Sequence, residues 1–151
     1  MPVVRRGTTV GVPPEEAFPL WTDTSRWATF VDGFGHIEQE DGDWPAEGAK
    51  VVWRSTPAGR GMVTEKVVAS EPPNRLATRV YEEKLTGVQT VTFAPAEDGG
   101  SAVTLELEYE LSSGGPFQFL TDVLFIRRAE GDALSRTLRR FATEAAEQAA
   151  L

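Results

Sequence analysis

The chain has 151 residues, which is the size of one domain, taken here as residues 1–151, and is long enough to bury a substantial core. Its formal net charge of −8 argues against nucleic acid as a partner, because phosphate binding depends on clustered Lys and Arg side chains. The sequence contains no cysteine and no apolar run near the roughly 20 residues of a membrane helix, which excludes disulfides, thiolate chemistry and membrane insertion.

The first predicted elements are a strand and two short helices. Residues 4–12 alternate between two faces, as a strand does. Residues 13–14 are both proline, which favours the start of a helix, and Pro19 limits that helix to about two turns. Asp23 or Thr24 can cap a second short helix. The apolar side chains of this second helix recur at helical spacing: Trp27, Phe30 and Val31.

Strand-like segments then follow along most of the chain. We predict them at residues 49–56, 62–70, 76–84, 88–94 and 101–111. The turns between them are predicted at Pro57-Ala58-Gly59, Pro72-Pro73-Asn74, Thr86-Gly87 and Glu97-Asp98-Gly99-Gly100. Alternation is cleanest in the last strand, where one face is apolar: Val103, Leu105, Leu107, Tyr109 and Leu111. Successive hairpins of this kind form an antiparallel meander with one face in water.

A long amphipathic helix is predicted after the glycine-rich residues 112–116. Its apolar stripe contains Phe117, Leu120, Leu124, Leu134, Leu138, Phe141, Ala142, Ala145 and Ala149. We expect Gly131 and Asp132 to break or kink this segment near its middle. The opposite face is expected to lie in water and carries Arg136, Arg139 and Arg140. A helix of this length has to pack on a large surface, and the apolar strand faces are the only candidates.

Several motifs, in this order, resemble the polyketide cyclase/dehydrase-type branch of the START-like superfamily (SRPBCC, birch-pollen-allergen-like). The matching motifs are Pro14-Glu15-Glu16-Ala17-Phe18, Thr24-Ser25-Arg26-Trp27, Phe30-Val31-Asp32-Gly33-Phe34, Ser70-Glu71-Pro72-Pro73-Asn74-Arg75-Leu76, Thr90-Val91-Thr92-Phe93, and Asp98-Gly99-Gly100-Ser101 with Val103-Thr104. The predicted C-terminal helix matches as well, so the likeness covers essentially the full length. These motifs encode turns and core positions rather than chemistry.

The resemblance implies an α+β helix-grip fold. In this fold a curved antiparallel sheet of six to seven strands wraps around a long C-terminal helix, and two short helices follow the first strand. A hydrophobic cavity lies between the sheet and the long helix. Members of the superfamily bind lipids, hormones and polyketides, cyclise polyketides, or act by contacting other proteins.

The resemblance also implies which side chains line the cavity. The candidates on the strands are Trp53, Val67, Val91, Leu107 and Tyr109, with Glu65 and Gln89 as polar members. The candidates on the helices and their loops are Trp27, Phe30, Phe34, Phe117, Leu120 and Leu124. The alternative is that these side chains simply fill a core, since large apolar residues at such spacings usually do. For Trp21 we favour the core.

Glu65 is the strongest candidate for chemistry. A carboxylate in an apolar cavity has its pKa raised by desolvation and can act as an acid or base near neutral pH. The alternative is that Glu65 lies at the rim, or pairs with Arg54 or Arg79 across the sheet. In the aromatase/cyclase proteins that this chain resembles, a serine and an arginine lie along the same strand, where Val67 and Ala69 stand here. That departure argues against a cyclase active site.

Other signs of chemistry are few. His36 is the only histidine, and a lone histidine is more often surface or core filler than a general base. With one histidine, no cysteine and scattered carboxylates, we expect neither a metal site nor a cofactor. No glycine-rich phosphate loop follows a strand. The first residues are not followed by the apolar stretch of a signal peptide, so we expect a cytoplasmic protein.

Three functions stay open on these grounds. The leading hypothesis is a module that binds a hydrophobic small molecule or lipid in the cavity. The second is a polyketide cyclase or dehydratase that uses Glu65, Tyr109 or His36. The third is a protein-interaction module with a filled core and no cavity. All three depend mainly on the implied fold, which by itself does not fix function.

Overall fold

The computed structural model describes residues 2–57, 59–112 and 125–151. Within these residues the chain forms a seven-stranded sheet, short helices after the first strand, and a long C-terminal helix. In chain order the elements are β1 Val3–Val10, α1 Pro14–Thr22, a 3₁₀ turn Thr24–Arg26, α2 Trp27–Phe30, β2 Phe34–Asp41, β3 Lys50–Ser55, β4 Met62–Glu71, β5 Arg75–Tyr81, β6 Leu85–Pro95, a 3₁₀ turn Glu97–Gly99, β7 Ser101–Leu111 and α3 Arg127–Ala149. The predicted helix-grip fold is confirmed.

The sheet is an open meander that the first strand extends at one edge. Strands β2 to β7 are neighbours in chain order, and β1 pairs with β7 at the opposite edge, so the order is β1-β7-β6-β5-β4-β3-β2. Every pair is antiparallel. In β7 the predicted alternation is observed, with Leu105 and Leu107 buried and Glu108 exposed. The buried face packs against α3, and removal of this apolar surface from water holds sheet and helix together.

An aromatic cluster fills the space where α1, α2, β6 and α3 meet. The ring centroid of Trp21 lies 5.0 Å from that of Phe141 and 5.3 Å from that of Phe30. Phe30 and Phe141 are 5.1 Å apart, and Phe93 of β6 is 6.4 Å from Phe141. All four side chains are buried. At this end, side chains therefore fill the space between sheet and helix.

The edge strand β2 is not among the strands predicted from the sequence. Of its 8 residues, only Phe34 and Ile37 are half-buried, and the others are exposed. The register with β3 shifts after Phe34 and again after Ile37, which removes the regular two-residue alternation. A charged, irregular edge strand of this kind discourages pairing with other chains. For the same reason it gives no periodic signal in the sequence.

The turn predicted at Thr86-Gly87 is wrong, because both residues lie inside β6. The connection between β5 and β6 is formed by residues 82–84 instead. Gly87 is buried opposite Tyr109 of β7. A Cβ at this position would clash with the carbonyl oxygen of Glu108 and lie 3.0 Å from the Cα of Tyr109. The glycine therefore permits a close approach of two central strands.

We expect Gly87→Ala to lower the free energy of unfolding by roughly 1–2 kcal/mol, because the added methyl group forces β6 and β7 apart. Gly7→Ala is the matched control. Gly7 also lies in a strand, but its Cβ would be 3.4 Å from the nearest atom, the carbonyl oxygen of Val103. That change should stay within about 0.5 kcal/mol of wild type. Denaturant unfolding measures both, and equal losses would contradict the explanation by close approach.

The break or kink predicted at Gly131 and Asp132 is wrong, because α3 runs without interruption from Arg127 to Ala149. Gly131 is buried, and the guanidinium group of Arg6 on β1 occupies the place where a Cβ would project. The glycine thus makes room for a strand side chain against the helix.

Among the described helices, none combines the length and the apolar character needed to cross a membrane.

Candidate functional site

A small cavity lies between the inner face of the sheet and the first turns of α3. Its volume is about 40 Å³, enough for roughly three water molecules. Of the predicted cavity residues that the structure describes, its wall includes Trp27, Trp53, Glu65, Gln89 and Leu107. Trp21, which we assigned to the core, belongs both to the aromatic cluster and to this wall.

The other predicted residues lie elsewhere. Phe30, Val67, Val91 and Tyr109 are buried in the hydrophobic core and are not part of the cavity wall, because neighbouring side chains fill the space around them. Phe34 is half-buried and packs behind the wall, with ring centroids 5.4 Å from Trp53 and 6.2 Å from Trp27. Three predicted residues lie outside the described part of the chain: Phe117, Leu120 and Leu124.

Glu65 projects from β4 into the interior, and the strand register explains its neighbours. It lies opposite Val51 of β3 and Val80 of β5, so Trp53 and Thr78 are its diagonal neighbours on the same face. The Nε1–H of Trp53 donates to Glu65 Oε2 at 2.8 Å, and the hydroxyl of Thr78 donates to Oε1 at 3.2 Å. Glu65 is only 8% exposed. The two alternating strand patterns thus place a carboxyl group among apolar side chains.

The burial of Glu65 raises the pKa of its carboxyl group above the ordinary value, because water no longer solvates the charged form. The hydrogen bond from Trp53, the positive charge of Arg60 and the hydrogen bond from Thr78 oppose this effect without cancelling it. The result is a carboxyl group that exchanges its proton closer to neutral pH than a solvated one. It can act as an acid, a base or a partner for a cation.

The structure decides between the two orientations considered for Glu65. Arg54 does not pair with it, since the Nε of Arg54 lies 3.3 Å from Glu38 Oε1 on the exposed side of the sheet. Arg79 is exposed on the outer face of β5. Glu65 therefore faces the cavity and not the rim. No Lys, Arg or His nitrogen of the described residues comes within 4.0 Å of its carboxylate.

Arg60 brings a positive charge to the cavity wall from the connection between β3 and β4. Its guanidinium carbon lies 5.0 Å from the ring centroid of Trp53. Its Nη2 is 2.6 Å from Oε2 of Glu82, whose side chain is only 6% exposed. Because Glu82 takes up the charge of Arg60, this pair forms a neutral unit beside Glu65.

Glu130 reaches the cavity from the other side, on the first turns of α3. Burial raises the pKa of its carboxyl group, and the nearby charges of Glu82 and Asp32 add to this while Arg60 opposes it. Neither Glu130 nor Arg60 was predicted from the sequence. Glu130 lies four residues before Leu134 of the apolar stripe, but this spacing alone does not distinguish it from a solvent-exposed charge. No sequence signal marks Arg60, which lies in a turn.

Asp32 connects the short helices to α3. Its Oδ1 atom lies 2.9 Å from Arg136 Nε and 3.2 Å from Arg140 Nη1. Its backbone N–H donates to the hydroxyl of Thr137 at 3.0 Å. The hydrogen bond from Arg136 lowers the pKa of Asp32 against the opposing effect of burial. The arginines predicted on the solvated face are indeed partly exposed, but two of them, Arg136 and Arg140, pair with Asp32, which is part of the cavity wall.

His36 lies on the edge strand β2, away from the cavity. Its ring is exposed, and Nε2 is 2.9 Å from Oε1 of Glu38. Tyr109 is fully buried in the core. Of the three residues considered for acid–base chemistry, only Glu65 is part of the cavity wall.

The sequence profile of the family described as polyketide cyclase / dehydrase and lipid transport matches residues 1–146. The comparison with curated proteins gives no match.

The fold is similar to that of several solved structures. The protein TTHA0849 from Thermus thermophilus is 18% identical with a TM-score of 0.73, and the match covers 97% of this chain and 99% of that chain. A START superfamily protein from Mycobacterium smegmatis is 10% identical with a TM-score of 0.72, covering 97% and 98%. A norcoclaurine synthase point mutant from Thalictrum flavum, in complex with a transition state analogue, is 12% identical with a TM-score of 0.70, covering 97% and 95%. At these identities the similarity shows the fold alone.

Proposed function

Since this chain belongs to the polyketide cyclase/dehydrase and lipid transport family, we propose that it binds a small molecule with an apolar body in the cavity between the sheet and α3. The observation that carries this proposal is the position of Glu65, a buried carboxyl group that faces a cavity without an ion-pair partner among the described residues. Such a group costs stability, and titratable groups with perturbed pKa values concentrate at functional sites.

The proposed contacts divide into an apolar wall and a few polar groups. Trp27, Trp53 and Leu107 provide the wall, and Glu65 and Gln89 orient the ligand. Five further predicted residues support the wall or extend the contacts: Phe30, Phe34, Val67, Val91 and Tyr109. The same proposal includes the predicted contacts outside the described residues: Phe117, Leu120 and Leu124.

The size of the cavity sets a condition on binding. At about 40 Å³ it is far smaller than the roughly 300–1,000 Å³ of pockets that enclose drug-sized ligands. A ligand therefore has to displace water and separate side chains that touch in this structure. We expect Arg60 to move first, because its guanidinium group covers the ring of Trp53 from a turn between two strands.

Titration with a neutral apolar dye such as aminoanthracene tests the proposal, and we expect dye binding to saturate at one site. Ala133→Phe should abolish this binding, because Ala133 is half-buried on α3 at the cavity wall and the added ring would fill the cavity. Ala129→Phe is the matched control, since Ala129 is exposed on the same helix. Native mass spectrometry of freshly purified protein would identify a ligand that copurifies.

Two results would contradict the proposal. If the wild-type protein has no saturable site, the interior is filled and the chain acts as a protein-interaction module. If Ala129→Phe and Ala133→Phe lose dye binding equally, the dye binds outside the cavity.

Glu65 also supports a second candidate, an enzyme that uses this carboxyl group as an acid or base on a bound aromatic or polyketide substrate. We expect Glu65→Gln to abolish turnover in that case while affinity for a neutral substrate stays nearly unchanged, because the amide retains the shape of the side chain. Steady-state kinetics and a binding titration with the same compound separate the two effects. Parallel loss of turnover and affinity would count against catalysis by Glu65.

A further inference from the structure

Three carboxylates and one guanidinium group lie on the cavity wall: Asp32, Glu65, Glu130 and Arg60. Asp32 is held by two arginines of α3, at 2.9 and 3.2 Å. Arg60 is held by Glu82 at 2.6 Å. The carboxylates of Glu65 and Glu130 are left, and in the described part of the chain neither has a cationic nitrogen within 4.0 Å. The wall therefore holds two carboxyl groups that have no cationic partner among the described residues.

Glu65 and Glu130 face this cavity from opposite sides, one from strand β4 and the other from helix α3. Burial raises the pKa of both carboxyl groups. Glu65 is buried and Glu130 is half-buried, and carboxylates withdrawn from water in this way cost stability unless a cation compensates them. A positively charged group placed between them would gain a charge-assisted hydrogen bond from each.

The aromatic part of the wall favours the same kind of group. The guanidinium group of Arg60 already lies over the ring of Trp53, so this indole face accepts a positive charge. The indole N–H of Trp53 is used by Glu65, and that of Trp27 donates to the carbonyl oxygen of Trp21 at 2.8 Å. Neither indole N–H is therefore free to bind an anion.

We propose that the ligand carries a protonated amine or amidine on its apolar body, and that Glu65 and Glu130 bind this cation beside Trp53. The inference rests on the proposed function and narrows its ligand class. Free fatty acids and other carboxylates are poor ligands in this scheme, because their charge would lie unpaired beside two others of the same sign.

The test compares three single-ring probes that differ in charge: benzylamine, benzyl alcohol and benzoate. Each is titrated at neutral pH into the full-length, isotope-labelled protein, and the indole N–H signals of Trp27 and Trp53 report binding by NMR. We expect benzylamine to bind about tenfold more tightly than benzyl alcohol, and benzoate to bind most weakly. Glu130→Gln should weaken benzylamine about tenfold and leave benzyl alcohol unchanged.

Glu147→Gln is the matched control, because Glu147 lies on the same helix but is exposed. It should leave all three affinities unchanged. Benzyl alcohol or benzoate binding as tightly as benzylamine would overturn the inference and leave the proposed function standing. An equal effect of Glu130→Gln and Glu147→Gln would overturn it as well. If no probe gives a saturable shift, both the inference and the proposed function fail.

Discussion

Phe141→Ala is expected to lower the free energy of unfolding by about 3–5 kcal/mol, the cost of removing a large aromatic side chain from a packed core. Phe141 is 0% exposed on α3. Its ring contacts Trp21, Phe30 and Phe93, which come from α1, α2 and β6. The single side chain therefore joins the long helix to three other elements, and its loss leaves a cavity that rigid neighbours fill only in part.

Phe125→Ala is the matched control. Phe125 is 68% exposed near the start of the same helix, so its removal should change stability by no more than about 0.5 kcal/mol. Phe141→Leu should lose less than Phe141→Ala, and it keeps the measurement possible if the alanine variant does not fold. Denaturant unfolding at constant temperature gives all three values. Equal losses at positions 125 and 141 would contradict the docking of α3 on the aromatic cluster.

Glu65→Gln is expected to raise the free energy of unfolding by about 1–3 kcal/mol above neutral pH, because an uncharged amide avoids the desolvation of a buried carboxylate. The amide oxygen can still accept from Trp53 Nε1, and the amide nitrogen can donate to Thr78 Oγ1. Hydrogen bonds to both partners can therefore still form, although the one with Thr78, which donates in the structure, is reversed. A substitution that stabilises the fold while it impairs the site is typical of residues kept for function.

The pH dependence follows from the raised pKa of Glu65. Between the ordinary value of 4.5 and the higher folded value, the native state binds more protons than the unfolded state. Stability therefore falls as the pH rises through this window. The gain from Glu65→Gln should thus be small below 4.5 and grow with pH above it. Effects of other groups, such as the lowered pKa of Asp32, cancel in the difference between the two proteins.

Denaturant unfolding of wild type and Glu65→Gln across this pH range measures the difference. Glu108→Gln, on the exposed face of β7, is the control and should stay within about 0.5 kcal/mol of wild type throughout. A constant difference between wild type and Glu65→Gln at all pH values would mean that Glu65 is no harder to ionise in the folded state.

The sequence predicts the parts of this fold that are periodic. The alternation in residues 101–111 corresponds to β7, and the spacing of Leu134, Leu138 and Phe141 corresponds to the buried face of α3. The inward orientation of Glu65 was one of two open alternatives, and it follows from its position between Val63 and Val67, which are both buried. Residues at alternate positions share one face of a strand, so Glu65 points inward together with Val63 and Val67.

Features that depend on contacts between distant segments were not predictable. Gly87 and Gly131 look like signals for a turn and a helix break, but each makes room for a group that is distant in sequence. Arg60 and Glu130 look like solvent-exposed charges, and only the packing of α3 over the sheet brings both to one cavity. The assignment of core and cavity also depends on packing, since Phe30 and Trp27 belong to the same short helix but only Trp27 is part of the wall.

The most direct test of the proposed site is the titration of the carboxyl-carbon NMR signal of Glu65 in the free protein. We predict a titration midpoint above the ordinary value of 4.5. Addition of a cationic ligand should move the midpoint of Glu65 downward, because the bound charge stabilises the carboxylate. A midpoint at or below 4.5 in the free protein would mean that this side chain is solvated, and it would contradict the enclosed site on which the proposed function depends.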